Sequence, residues 1–323
     1  MVESRAMATS EEPRSSYTEI HSHFGGVHVE RAAVMAPLTD PWGWWVEPFV
    51  DNPFMQDALL AGALVALCTA VVGTWVVLRG MSFLGDALAH GVLPGIAVAF
   101  VLGFSTTVGA LVAAVVMAGG ISLIRAHSPL PDDTSIGVLF VGFLALAVVI
   151  MSSQSGSYTG DLNRFLFGSI TGIDDADLVR QGIAAAVSII AVTVFHRSLL
   201  VMTFDETQAQ LLGLRPRLAH AVLLVLLAVA IVVSFEAVGN LLVFAFLIAP
   251  PAAASLLVRR VPRIMVTAVG IGWVSVLVGA LVSFHHDTAA AATMALVSVA
   301  IFVLALLGRA VVIATLTRRA ATV

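Results

Sequence analysis

Lysine is absent from all 323 residues, so the 16 basic side chains are all arginine. That excludes a Walker A loop, whose lysine contacts the phosphates, and with it a P-loop ATPase built from this chain alone. A single cysteine, Cys68, excludes an internal disulfide and a cysteine-based zinc site. Its apolar surroundings mark it as a packing residue. Charged residues make up only 11% of the chain, and the net charge of −4 argues against nucleic acid as a partner. No HExxH and no nucleophile–base pattern points to an intramembrane hydrolase. The first residues lack a basic region followed by an apolar one, so no signal peptide is expected. Nor is an internal repeat visible, which counts against an inverted-repeat secondary transporter.

What fills the chain is apolar. Hydrophobic residues make up 59% and the mean hydropathy is +1.01, which no soluble domain of this length matches. The fold class expected is all-α, a polytopic membrane protein with eight or nine transmembrane helices. Apolar stretches of spanning length fall at about 55–78, 82–103, 105–125, 134–152, 176–195, 217–236, 238–258, 263–284 and 288–311. Residues 1–52 form a polar leader, 53–313 the transmembrane domain and 314–323 a cytoplasmic tail. His21, His23 and His28 with Glu19 and Glu30 read as a polar tail rather than a metal trap. Trp42, Trp44, Trp45 and Phe49 suit a segment lying at the membrane interface. Arginines cluster on alternate ends of the spans, at Arg79, Arg125, Arg197, Arg215–Arg217, Arg259–Arg263 and Arg309, which makes those ends cytoplasmic. The leader then lies outside.

Two spans carry polar intrusions. Asp86 and His90 are four residues apart in RGMSFLGDALAHGVLPGI, so on a helix they share a face one turn apart. Pro94 cannot donate to the His90 carbonyl. An ionisable group inside a span costs roughly 2.5–3.5 kcal/mol, so two together point to a cation site rather than to helix packing. Glu236 and Asn240 repeat the spacing in SFEAVGNLLVFAFLIAPPAAASLL, where Pro250 and Pro251 release the carbonyls of Phe246 and Leu247. Two carboxylates, an imidazole and an amide oxygen suit Mn²⁺, Fe²⁺ or Zn²⁺ over Cu⁺. Counted along ideal helices from Arg79 and Arg217, however, Asp86 lies about 10 Å deep and Glu236 about 28 Å. Either the sixth span is broken or starts later, or Glu236 and Asn240 form an outer gate.

The loops carry less. Asp132–Asp133 opens the fourth span as a helix cap. The external stretch 152–174, with its LNRFLFG turn, is either a partner's landing site or a cover for the bundle. His285, His286 and Asp287 form a solvated external turn, and His127, His196 and His220 sit at cytoplasmic ends where snorkelling or carbonyl capping suffices. In FDETQAQLLGL (204–214), Asp205 is an N-cap with Gln208 completing a capping-box-like pair, and Gly213 is the stop. So short a helix is marginal alone, and it should present Ala209, Leu211 and Leu212 to a docked partner.

The order RGMSFLGDALAHGVLPG, DDTSIG, LFGSI, FDETQAQLLGL and AVGNLLVFAFLIAPPAAAS resembles the metal-uptake ABC transporter permeases, the manganese/zinc/iron family, over about 54–310. The HGVLPG context is more similar to its manganese members. The resemblance implies a homodimeric importer permease of the bacterial cell (inner) membrane. It implies two copies of a separate cytoplasmic ABC ATPase docked on the 205–214 region, with Asp205, Glu206, Ala209, Leu212 and Gly213 as coupling residues. It also implies an extracellular metal-binding lipoprotein that delivers the ion. Asp86 and His90 match the family's metal-contacting pair. The chain departs from the pattern at Glu236 and Asn240, where a glutamine and a small or hydroxyl residue are expected. The implied chain holds no permanent cofactor, only transported Mn²⁺ or alternatively Zn²⁺ or Fe²⁺, and leaves ATP hydrolysis to its partner. The rival is a proton-coupled secondary transporter.

Overall fold

The computed structural model describes residues 41–128, 132–152 and 175–320, with backbone alone at Pro41, Arg125, Ala126, Asp132, Glu206, Glu236, Ala237 and 315–320. The histidines of the leader, the 153–174 stretch with LNRFLFG, and the last three residues lie outside the described set. The chain divides into two units, Met1–Glu47 and Pro48–Val323. In the first, α1 (Pro41–Trp45) sets Trp44 edge-on to Trp45 with ring centroids 5.1 Å apart. Helix α2 (Glu47–Asp51) carries the chain into the second.

The second unit is all helix among its described residues: α3 (Pro53–Leu78), α4 (Ser82–Gly91), α5 (Leu93–Leu102), α6 (Thr106–His127), α7 (Asp132–Ser152), α8 (Asp175–Phe204), α9 (Glu206–Leu211), α10 (Pro216–Val238), α11 (Asn240–Leu257), α12 (Val261–His286) and α13 (Ala290–Ala320). They supply nine spans long and apolar enough to cross a membrane, α4 and α5 together forming one. Their starts follow the sequence: Pro53, Pro216 and Pro262 stand in first turns, where a missing N–H costs nothing. The α4–α5 span breaks at Val92, two residues before Pro94, which cannot donate to His90. Val92 keeps helical torsions (φ −78°, ψ −20°), so the break is slight.

Helix α3 is the axis of the bundle. Its 26 residues run about 39 Å, are buried along most of their length, and pack against α8, α10, α11 and α12. Its Trp75 is fully buried, as are Leu88, Leu227, Phe246 and Leu247 of the core cluster around it. Between apolar helices in lipid, close approach of backbones replaces the hydrophobic drive. The proline pair of α11 shows how. Pro251 leaves the Leu247 carbonyl without its helical donor, and that oxygen lies 2.0 Å from where a β-carbon on Gly73 of α3 would stand. A β-carbon on Gly95 would likewise stand 2.0 Å from the Gly109 carbonyl oxygen, which seals α5 on α6. Outward, large apolar side chains such as Val141 and Val149 of α7 and Leu304 and Leu307 of α13 stay exposed. Water penalises such a surface; a bilayer does not.

Candidate metal centre within a membrane span

Helix α4 places Asp86 and His90 on one face, with Asp86 Oδ1 3.6 Å from His90 Nε2. Both side chains keep about a quarter of their surface open, 27% and 25% respectively. A carboxylate and an imidazole in a spanning helix are thus neither fully enclosed by their own chain nor locked into a short hydrogen bond. On the far side of the same ring, His90 Nδ1 lies 3.4 Å from the amide nitrogen of Asn240. Asn240 opens α11 and is only 4% exposed. The imidazole therefore stands between a carboxylate from its own helix and an amide from another. Phe140 of α7 meets the His90 ring edge-on at 5.5 Å and Phe83 at 6.2 Å, an aromatic wall beside the cluster.

Gly239 makes the meeting possible. It adopts φ 79°, ψ 165°, a region essentially reserved for glycine, and there α10 ends and α11 begins. The register of α11 on α4 is read from a second contact: a β-carbon on Gly85 would lie 2.6 Å from Leu247 Cδ2. From Gly85 to His90 is about 7.5 Å along α4, and from Leu247 to Asn240 about 10 Å along α11, so the antiparallel helices bring both polar residues to one level. The depth separation counted from Arg79 and Arg217 does not hold for Asn240, because packing between α4 and α11 sets the register, not distance along α10. Glu236 lies in the last turn of α10, and its side chain is outside the described residues. Among the described residues no three His, Cys, Asp or Glu side chains gather around one point. The cluster is Asp86, His90 and an amide.

The 204–214 stretch folds as its caps dictate. Asp205 Oδ1 accepts the Gln208 N–H at 2.9 Å, α9 follows, and Gly213 ends it at φ 69°. Leu214 N–H then donates to the Ala209 carbonyl at 3.0 Å, the 6→1 bond of a glycine-terminated helix. Leu211 and Leu212 are 82% and 55% exposed, whereas Ala209 is fully buried. The expectation that Ala209 joins the presented surface is corrected: its small side chain faces the bundle core and seats α9 there. The side chain of Glu206 lies outside the described residues.

Residues 51–309 match the family described as the ABC 3 transport family. The chain belongs to that family. Among the relatives of this ABC 3 chain is the "Manganese transport system membrane protein MntC" of Listeria monocytogenes, 34% identical over 81% of this chain and 93% of that protein. Another is the "Chelated iron transport system membrane protein YfeD" of Yersinia pestis, 34% identical over 81% and 87%. The solved structure of "PsaBC from Streptococcus pneumoniae in complex with Fab" superposes with a TM-score of 0.73 at 30% identity, covering 81% of this chain and 94% of that one. The ABC 3 chain is thus an all-helical, multi-pass permease of the bacterial cell membrane.

Other residues of this permease that stood out in the sequence have local roles. Cys68 meets Ser188 at 3.4 Å in the buried α3–α8 contact. His127 Nδ1 donates to the Leu123 carbonyl and His286 Nδ1 to the Val282 carbonyl. His285 and His286 are the exposed last residues of α12, and Asp287 caps it, left-handed at φ 50°. His196 packs edge-on to Trp75, and His220 Nδ1 lies 3.2 Å from Arg79, tying the α3–α4 turn to α10. Phe140 had no signal in the sequence. Nothing local distinguishes it from the other aromatic residues of an apolar span.

Proposed function

We propose that this chain is the membrane permease of an ATP-driven importer of a divalent transition metal, with Mn²⁺ as cargo. The observation that carries this is the Asp86 carboxylate 3.6 Å from the His90 imidazole inside a span, with both side chains still partly open. Oxygen and nitrogen donors without a thiolate suit Mn²⁺ and Fe²⁺. The names of the relatives, one manganese and one chelated iron, lie within that range. Few ligands hold a passing ion weakly enough to release it, as conduction requires. Asp86 and His90 contact the ion directly, with Glu236 near it at the end of α10.

In this reading two copies of the chain frame one pathway, with residues 53–313 as the permease domain between the 1–52 leader and the 314–323 tail. An extracellular metal-binding lipoprotein delivers the ion, and lipid covers the apolar outer faces. A cytoplasmic ABC ATPase dimer docks on α9, where Leu211 and Leu212 stand out from the bundle. Asp205 and Gly213 shape that helix, Ala209 anchors it, and Glu206 belongs to its first turn. The permease performs no bond chemistry itself. Alternating access then follows from ATP binding and hydrolysis in the partner.

The test is uptake of Mn²⁺ into vesicles carrying the permease with its co-expressed ATPase. Asp86→Asn and His90→Ala are expected to abolish uptake while leaving expression and ATPase association intact; normal uptake removes the pore assignment. Competition by Fe²⁺ and Zn²⁺ ranks the cargo. Uptake that survives without ATP but collapses with a protonophore marks a proton-coupled carrier instead.

A further inference from the structure

A neutral imidazole carries one N–H and one lone pair, and a cation can use only the nitrogen with the lone pair. Which nitrogen that is depends on the hydrogen bond made by the other. His90 is approached at both. At Nε2 the neighbour is Asp86 Oδ1, 3.6 Å away, too long for a hydrogen bond. It is close to the separation of two ligands on one ion, about 3.0–3.4 Å for bonds of about 2.1 Å meeting at 90–110°. At Nδ1 the neighbour is the Asn240 amide, 3.4 Å away and held on a different helix.

Asn240 is 4% exposed, and its Oδ1 is buried without a hydrogen-bond partner among the described residues. A half-turn of the amide exchanges Oδ1 and Nδ2 without changing the shape of the side chain. As placed, Nδ2 faces His90 Nδ1; the half-turn sets the oxygen there instead and moves the amide N–H groups to where the oxygen lay. We propose that Asn240 is a positioning residue rather than a metal ligand: its amide oxygen accepts the Nδ1–H of His90, so that the Nε2 lone pair faces a cation beside Asp86. Resting on the reading of Asp86 and His90 as a cation site, this adds the reason for the ring's orientation and assigns the contact to α11. Gly239 and the Leu247–Gly85 contact are the parts of the fold that bring the acceptor there.

The test uses the full-length chain in lipid nanodiscs with ¹⁵N-labelled histidine rings, the His90 signals being assigned by difference from His90→Gln. Metal-free wild type is expected to show His90 protonated at Nδ1, and Asn240→Asp, which keeps an acceptor, to show the same. Asn240→Leu should lose that preference and bind Mn²⁺ about 10–100-fold more weakly, while Asn240→Asp stays within a few-fold of wild type. A wild-type ring protonated at Nε2 overturns the inference, as does unchanged Mn²⁺ affinity in a folded Asn240→Leu. If the leucine variant does not fold, the wild-type and aspartate rings still decide. Mn²⁺ binding by His90→Gln equal to wild type sinks the cation-site reading instead, whichever nitrogen carries the proton.

Discussion

Alanine at Gly73 tests the packing that holds the site. The added β-carbon would stand 2.0 Å from the Leu247 carbonyl oxygen, 2.9 Å from its carbon and 3.1 Å from its Cα. Carbon–oxygen contacts sit at about 3.3 Å or more, so α3 and α11 must part locally by over roughly 1 Å. No rotamer relieves this, because every atom met is backbone. Overpacking of this kind costs about 1–3 kcal/mol, against about 1 kcal/mol gained from the better helix propensity of alanine. Gly142 on α7 is the control: a β-carbon there meets nothing within 4 Å, so Gly142→Ala keeps the gain alone. The two variants should differ by about 1–3 kcal/mol, read as the order of their melting temperatures in detergent by monodisperse recovery after heating. Because Leu247 also packs on Gly85 of α4, the damaged variant should lose Mn²⁺ uptake as well. A Gly73→Ala protein that melts at or above Gly142→Ala would refute the close-approach argument.

Gly239→Ala forces a β-carbon into torsions essentially reserved for glycine, at about 1–3 kcal/mol. Displacement of Asn240 should show as weakened Mn²⁺ binding in a protein that still inserts, and wild-type affinity would mean the reversal does not set the site. Asp205→Ala removes the acceptor of the Gln208 N–H and should cost about 1 kcal/mol, seen as faster proteolysis or hydrogen exchange confined to α9. Unchanged protection there counts against the cap. Leu212→Asp puts a charge on the exposed end of α9 and should lower the yield of co-purified ATPase, with thermal stability unchanged. Equal yield removes that contact.

Much of this protein is written along the chain because its strongest signals are local. A bilayer demands long apolar helices whatever their neighbours, so the eight or nine expected spans, nine among the described residues, with their arginine-marked ends and the carbonyl freed by Pro94, follow from composition, length and proline chemistry. The α9 caps are equally local, since Asp205 and Gly213 act on residues three or four positions away. The pairing of Asp86 with His90 is legible too, for it lies within one helical turn. Ala209 was misread because a six-residue helix has no periodicity long enough to tell its buried face from its open one.

What chain order leaves open is how two helices about 150 residues apart stand against each other. Four-residue spacing suggests Glu236 and Asn240 as a second ligand pair, and counting from the arginines sets that pair far from Asp86. Only the tertiary structure places Asn240 behind the His90 ring and Phe140 beside it. The physical reason is that helix register depends on where backbones can approach, at Gly73, Gly85 and the proline-freed Leu247 carbonyl. Those contacts join residues from three helices, and no local periodicity records them.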